Sequence, residues 1–102
     1  MAKLEQHRLL IGEFLKTRRK GAGLTQKVAA ESASRVSGRL VSDQFISNIE
    51  RGSDPLPEYL IPVFSNIYGI QEADFINVLL QARKQHIESI YQDSLENQRT
   101  SS

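Results

Sequence analysis

The spacing of apolar residues is the feature that most constrains this fold. Apolar side chains recur every three or four residues in several stretches, and Gly or Pro residues separate those stretches. Such spacing places apolar side chains on one face of an α-helix, and the alternating pattern of strands is nearly absent. A chain of 102 residues is long enough for one domain rather than two. The sequence therefore predicts an all-α fold, a compact bundle of about five helices.

Local signals predict where the first two helices begin and end. Apolar residues at helical spacing cover residues 4–18, and Gly21 stops that run. Thr25 is a good N-cap for the second helix, because its hydroxyl can accept a bond from a free backbone N–H. The segment 34–41 is ambiguous and is compatible with an extended second helix that turns near Gly38.

Similar signals predict three further helices. Ser42 is the expected N-cap of the third helix, and Gly52 is expected to follow its end. Pro57 can occupy the first turn of the fourth helix, which is expected to run to about Tyr68. The last helix is long and is expected to cover about residues 72–95.

These elements predict one domain with a short tail. We expect a single helix-turn-helix domain over residues 1–96, with its core in residues 10–80. Residues 97–102 are polar and are expected to form a flexible tail.

Charge is distributed unevenly along the chain. The first 52 residues carry ten basic and five acidic side chains, whereas the remaining 50 carry three and seven, and the net charge is +1. A basic half can bind a polyanion while the acidic half faces away or holds a partner. Ordinary surface charges that happen to be uneven explain the same counts, and charge alone does not separate the two interpretations.

The sequence offers little for catalysis or metal binding. It contains no Cys and only two His residues, His7 and His86, which lack the spacing of a metal-binding pair. We therefore expect no enzyme activity, no cofactor and no metal site. No apolar run is long enough for a membrane helix or a signal peptide, so we expect a cytoplasmic protein without a membrane partner.

The third predicted helix has a polar front and an apolar back. Gln44 and Asn48 are four residues apart and share a face, with Asp43 and Ser47 on the neighbouring face. Gln and Asn can each form two hydrogen bonds with adenine in the major groove, and Ser and Asp can bond other base edges. The same residue types are also common on solvated helix faces.

Three segments carry a family resemblance. The stretch IGEFLKTRR at 11–19 is followed by GLTQ at 23–26, and ISNIERG occupies 46–52. In this order they resemble the opening and the recognition helix of the XRE-type (phage-repressor-like, lambda-repressor-like) helix-turn-helix DNA-binding family. Residues 57–70 are similar to the fourth helix of that family and the turn after it. The resemblance implies a transcriptional regulator that binds double-stranded DNA.

The resemblance also implies roles for individual residues. The third helix, over residues 42–51, would lie in the major groove and direct four side chains towards bases: Asp43, Gln44, Ser47 and Asn48. Gln26 would lie beside the DNA backbone, next to its cap Thr25 and the basic Lys27, and Ser42 would touch phosphate. Arg19 and Glu50 match family positions that form a structural ion pair.

The chain departs from the family pattern between the second and third helices. About seven residues are inserted there, around residues 31–40. They include Arg35 and Arg39, which can reach phosphates beside the groove. A longer second helix with solvated arginines is an equally good interpretation.

The length of the last helix is the second departure. Its apolar residues exceed the needs of one small core, which indicates a homodimer interface. The residues expected in that interface are Phe75, Leu79, Ile87, Ile90 and Tyr91. Folding of the helix back over its own bundle is the alternative.

Two functions follow from these observations. The first is a dimeric repressor that binds an inverted repeat. The second is a protein-interaction module, such as an antitoxin or an adaptor, that docks a protein partner through the last helix.

Overall fold

The computed structural model describes residues 6–100 and confirms the all-α prediction for that part of the chain, which contains no strand. Residues 1–5, including the predicted helical position Leu4, and residues 101–102 lie outside the described residues. The five helices are α1 (Gln6–Gly21), α2 (Gln26–Ser37), α3 (Asp43–Glu50), α4 (Leu60–Tyr68) and α5 (Glu72–Thr100).

Side-chain caps start the two central helices. The Thr25 hydroxyl accepts a hydrogen bond of 3.1 Å from the Val28 backbone N–H at the start of α2. The Ser42 hydroxyl does the same for the Phe45 N–H, at 3.0 Å, at the start of α3. Each cap satisfies one of the backbone donors that a helix leaves free in its first turn.

The residues inserted between the two helices mostly lengthen α2. The helix continues to Ser37 and ends at Gly38, whose φ of 73° is a left-handed conformation that suits glycine. The Ser34 hydroxyl then bridges the turn: it accepts from the Val41 N–H at 2.8 Å and donates to the Val41 carbonyl at 3.1 Å. The ambiguous segment is therefore an extended helix followed by a short, hydrogen-bonded turn.

The predicted start of α4 was wrong. Pro57 lies in the loop, where its carbonyl accepts the Leu60 N–H at 3.1 Å, and the helix itself begins at Leu60. Pro62 is the proline that falls in the first turn of α4. Its missing N–H has no effect there, because first-turn donors have no partner within the helix.

Helix α5 is longer than predicted. The helix continues past residue 95 to Thr100, so the expected flexible tail is helical as far as the structure describes it. The polar residues of this segment include Glu, Gln and Arg, which are good helix formers.

The core lies where all five helices meet, and α2 contributes three buried alanines to it. Its largest fully buried side chains are Leu15, Ile46, Leu60, Phe64 and Phe75. Gly12 lets α1 approach α3 closely, because a Cβ atom at this position would lie 2.5 Å from the backbone oxygens of Ile49 and Glu50. The end of α3 is therefore held directly against α1.

Two residues predicted for the dimer interface belong to this core instead. Phe75 is 1% exposed, and its ring centroid lies 5.7 Å from that of Phe14. Leu79 is half-buried and packs against the core. Both side chains point into their own bundle because the first half of α5 packs along α1.

Within residues 6–100, no helix combines the length and the hydrophobicity that are needed to span a bilayer.

Candidate nucleic-acid interface

The polar residues of α3 form an exposed front on this helix. Asp43 and Gln44 are exposed, whereas Ser47 and Asn48 are half-buried. The Asp43 carboxylate accepts the Gln44 backbone N–H at 2.9 Å. The opposite side of the helix carries Ile46 and Ile49, which are buried in the core.

Asn48 is the centre of a hydrogen-bonded cluster, which we call the front cluster and which comprises Gln44, Asn48, Arg51 and Asp54. The Asn48 amide oxygen accepts from Gln44 Nε2 at 3.0 Å and from the Arg51 guanidinium at 2.6 Å. Its amide nitrogen donates to Asp54 Oδ2 at 3.2 Å. Two of the four predicted base-contacting residues are thus bonded to each other, and Asn48 is the more constrained of the two.

A second network, which we call the rear network and which comprises Arg19, Gln26 and Glu50, lies on the buried side of α3 at its C-terminal end. Arg19 Nε donates to Glu50 Oε2 at 2.6 Å, and its terminal nitrogen NH2 donates to Oε1 at 3.1 Å. Its other terminal nitrogen donates to the Leu24 carbonyl at 2.8 Å. Both charged side chains are nearly inaccessible to solvent. The two-point geometry fixes α3 relative to α1.

The surroundings of this network shift two pKa values. The hydrogen bonds that Arg19 donates to Glu50 raise the pKa of Arg19, because they stabilise the charged guanidinium, although burial acts in the opposite direction. Burial, and then the charge of Glu50, raise the pKa of the Tyr68 hydroxyl well above its ordinary range. The end of α3 therefore lies in a dry region that holds a paired charge.

The start of α2 is tied to the same network. Gln26 Nε2 donates to Glu50 Oε1 at 3.0 Å, so the carboxylate accepts from α1 and from α2. Thr25 and Lys27, on either side of Gln26, are both exposed. The arrangement links the start of α2 to the end of α3 through one buried carboxylate.

The segment that contains these helices and the short turn between α2 and α3 matches a known sequence family. The profile of the helix-turn-helix domain family matches residues 10–75, which is well over half of the chain. The chain belongs to the helix-turn-helix domain family. Neither the curated proteins nor the solved structures give a match. Membership of this family supports DNA as the partner and a DNA-binding regulator as the function.

The two arginines near the turn of this helix-turn-helix lie in different settings. Arg35 is exposed on α2 and donates to the Ser32 hydroxyl at 3.4 Å. Arg39 is exposed in the turn, and its guanidinium carbon lies 4.4 Å from the ring centroid of Tyr59. Arg39 therefore ties the turn to the segment before α4 through a cation–π contact.

Sequence reasoning missed two members of the front cluster of this helix-turn-helix. Arg51 stands three residues after Asn48, and helical neighbours at that spacing share a face. That signal could have identified Arg51. Asp54 lies in the loop beyond α3, and its approach to Asn48 depends on the path of the loop, for which the sequence carries no comparable signal.

Proposed function

We propose that this protein is a cytoplasmic, sequence-specific regulator that binds double-stranded DNA as a homodimer and represses transcription. In this proposal α3 lies in the major groove and each copy binds half of an inverted repeat. The observation that carries it is the polar front of α3 on a helix whose buried side is fixed by the rear network. No enzymatic step is part of the proposal.

Base contacts come from the front of α3. Gln44 is exposed, and an amide side chain matches the N6 and N7 positions of adenine. Asp43 and Ser47 can bond other base edges beside it. A two-point contact of Asn48 with adenine requires its amide oxygen to exchange a partner of the front cluster, because that oxygen already accepts two hydrogen bonds.

Backbone contacts come from the helix starts and from basic side chains. The start of α2 presents Thr25, Gln26 and Lys27, and the start of α3 presents Ser42, where backbone N–H groups favour phosphate. Arg35 and Arg39 add positive charge near the turn. Arg51 is a further exposed cation at the edge of the front cluster. Such contacts orient the protein on DNA without selecting a sequence.

Dimerisation is assigned to α5. Of the five residues predicted for the interface, Ile87, Ile90 and Tyr91 are exposed and remain available to a second copy. A symmetric dimer places two recognition helices on one side, about one helical turn of DNA apart.

The test of this function is selection of bound sites from a random duplex DNA library by the purified protein. We expect an enriched inverted repeat. Enrichment of a single half-site would contradict the dimer, and no enrichment with folded protein would contradict sequence-specific binding. The same selection with Gln44→Ala, in parallel, shows whether the enriched bases depend on the front of α3.

The second candidate is a protein-interaction module, such as an antitoxin or an adaptor. The exposed apolar residues of α5 favour it, because they suit a protein partner of another kind equally well. Retention on heparin separates the two functions, since a DNA-binding protein elutes at a salt concentration set by its phosphate contacts. An adaptor with a net charge of +1 passes through the column.

A further inference from the structure

Helix α5 has two apolar faces, of which only one packs in the bundle. Phe75, Val78 and Ala82 are buried against the rest of the chain. On another face, five apolar side chains are each at least 41% exposed. We call this set the outer stripe; its members are Ile76, Leu80, Ile87, Ile90 and Tyr91. At 3.6 residues per turn, all five fall within about 100° of the helix circumference.

The second half of α5 projects beyond the bundle. The last aromatic contact between α1 and α5 joins the rings of His7 and His86, whose centroids are 4.4 Å apart. From there α5 continues to Thr100, and the molecule measures 55 Å along its longest axis but only 27 and 22 Å across. A projecting helix with exposed apolar side chains needs a partner surface of similar length.

We propose that the outer stripe binds the outer stripe of a second copy, with the two α5 helices antiparallel and crossing between residues 85 and 86. In this register Leu80 of each copy lies opposite Tyr91 of the other. The same register places Ile76 opposite Leu95, because the two pairs have the same midpoint in the sequence. Leu80 and Tyr91 are the most exposed members of the stripe, at 64% and 68%, and both become covered.

Charge favours the antiparallel direction. Lys84 of one copy lies within about 2 Å of the level of Glu88 of the other along the helix axis in this register. A parallel pair would instead place Lys84 and Glu88 of the two copies on opposite sides of the contact, where they cannot pair. Arg83 lies within the arc of the stripe, where its aliphatic stem can cover Ile87 of the second copy while its charge stays in water.

A groove beside the stripe fits the same arrangement. It lies between α4 and the start of α5 and is lined by apolar side chains that include Ile61, Pro62, Ile70 and Ile76. Because Leu95 of the second copy is level with Ile76 in this register, the projecting end of its α5 passes beside this groove.

This inference rests on the dimer of the proposed function but not on DNA recognition. The chain contains no cysteine, so thiols can be introduced at chosen positions. The test uses the double variant Leu80→Cys/Tyr91→Cys and the two single variants, at exposed positions where folding is little affected. Residues 80 and 91 are about 16 Å apart on one helix, so a bis-maleimide shorter than that distance cannot join them within one chain.

We expect the double variant to cross-link into a covalent dimer and both single variants to stay monomeric on a denaturing gel. Cross-linking of Leu80→Cys alone would overturn the register, because it requires residue 80 of one copy to lie near residue 80 of the other. A double variant that does not cross-link, with normal circular dichroism, would also overturn it.

Exchange of the charges at positions 84 and 88 tests independently whether the two α5 helices are antiparallel. Lys84→Glu and Glu88→Lys should each raise the dimer dissociation constant about two- to fivefold in sedimentation experiments. The double variant Lys84→Glu/Glu88→Lys should return it towards the wild-type value, since both the intermolecular pair and the pair within the helix are restored. A double variant weaker than either single one would contradict the arrangement.

The cross-linking and DNA-selection experiments distinguish failure of this interface from failure of the proposed function. Cross-links as expected with no enriched DNA site would leave this interface and contradict the proposed function. An enriched inverted repeat without the expected cross-links would leave the function and place the dimer contact elsewhere.

Discussion

The rear network and the front cluster of α3 consist of similar side chains but differ in burial and in where their partners come from. Each contains an arginine, a carboxylate and a side-chain amide. The partners of Glu50 in the rear network come from α1 and α2, and its ion pair is buried. All members of the front cluster come from residues 44–54 of the chain, and Gln44 and Arg51 are exposed.

This difference in burial distinguishes a network that fixes the position of α3 from a cluster that can exchange its hydrogen bonds. A buried carboxylate with partners on two other helices fixes where α3 lies, and removal of one partner leaves a charge without compensation. Exposed side chains that bond to near neighbours exchange those bonds for water or a base at little cost. The rear network therefore fixes the position of α3, whereas the proposed function assigns sequence preference to the front cluster.

Glu50→Ala is the strongest test of the rear network. We expect the free energy of unfolding to fall by about 3–5 kcal/mol, because Arg19 stays buried without its carboxylate. Urea unfolding followed by circular dichroism measures the change. Glu31→Ala, at an exposed position on α2, is the matched control and should stay within about 0.5 kcal/mol of wild type. Equal losses in both variants would remove the distinction between the two networks.

Gln44→Ala tests whether the front cluster affects DNA binding without affecting stability. We expect binding to the preferred DNA site to weaken by about 1–3 kcal/mol, with little change on random DNA and little change in unfolding. Fluorescence anisotropy on both DNAs measures the effect, and Gln81→Ala on α5 serves as the control. An equal loss on both DNAs would show that Gln44 contacts the backbone rather than a base.

Tyr68→Phe tests how dry the rear network is. The unfolded chain ionises Tyr68 near pH 10, about its ordinary pKa, whereas the folded chain keeps it neutral to higher pH because its pKa is raised. The stability from this group is complete below about pH 10 and falls by about 1.4 kcal/mol per pH unit above it. The free energy of unfolding measured with urea should therefore decline less steeply at alkaline pH for Tyr68→Phe than for the wild type. Equal slopes would indicate that water reaches the Tyr68 hydroxyl.

Arg39→Ala addresses a residue outside both networks and has the smallest expected effect. If Arg39 contacts phosphate, all DNA sequences bind more weakly and the salt dependence of binding falls by about one unit. If its contact with Tyr59 is the only role, the salt dependence stays the same and the stability falls by about 0.5–1 kcal/mol. Binding titrations at several salt concentrations separate the two results, and Lys16→Ala on α1 is the control.

Local signals predicted most of the fold. The capping residues Thr25 and Ser42 act on backbone groups only two or three residues away, so their effect can be inferred from neighbours in the sequence. The start of α4 was placed too early because Pro57 suits a first turn by its local sequence alone. In the structure Pro57 lies in the loop, and the helix begins at Leu60.

The interface residues of α5 were harder to predict for a different reason. Two apolar sets run along this helix at similar spacing, and each set alone has the pattern of a buried face. Only the packing of α1 decides that Phe75 points inward and Ile76 outward. The front cluster shows the same limit, since the contact from Asp54 to Asn48 depends on tertiary structure.

The turn between α2 and α3 bears on how such a protein can evolve. Glu50 and the core set the position of α3 from its far end and its back, while Ser34 fastens the turn locally. Most of the residues inserted in this connection are absorbed as about two more turns of α2. We therefore expect that a change of length at this point would leave the polar front of α3 unchanged.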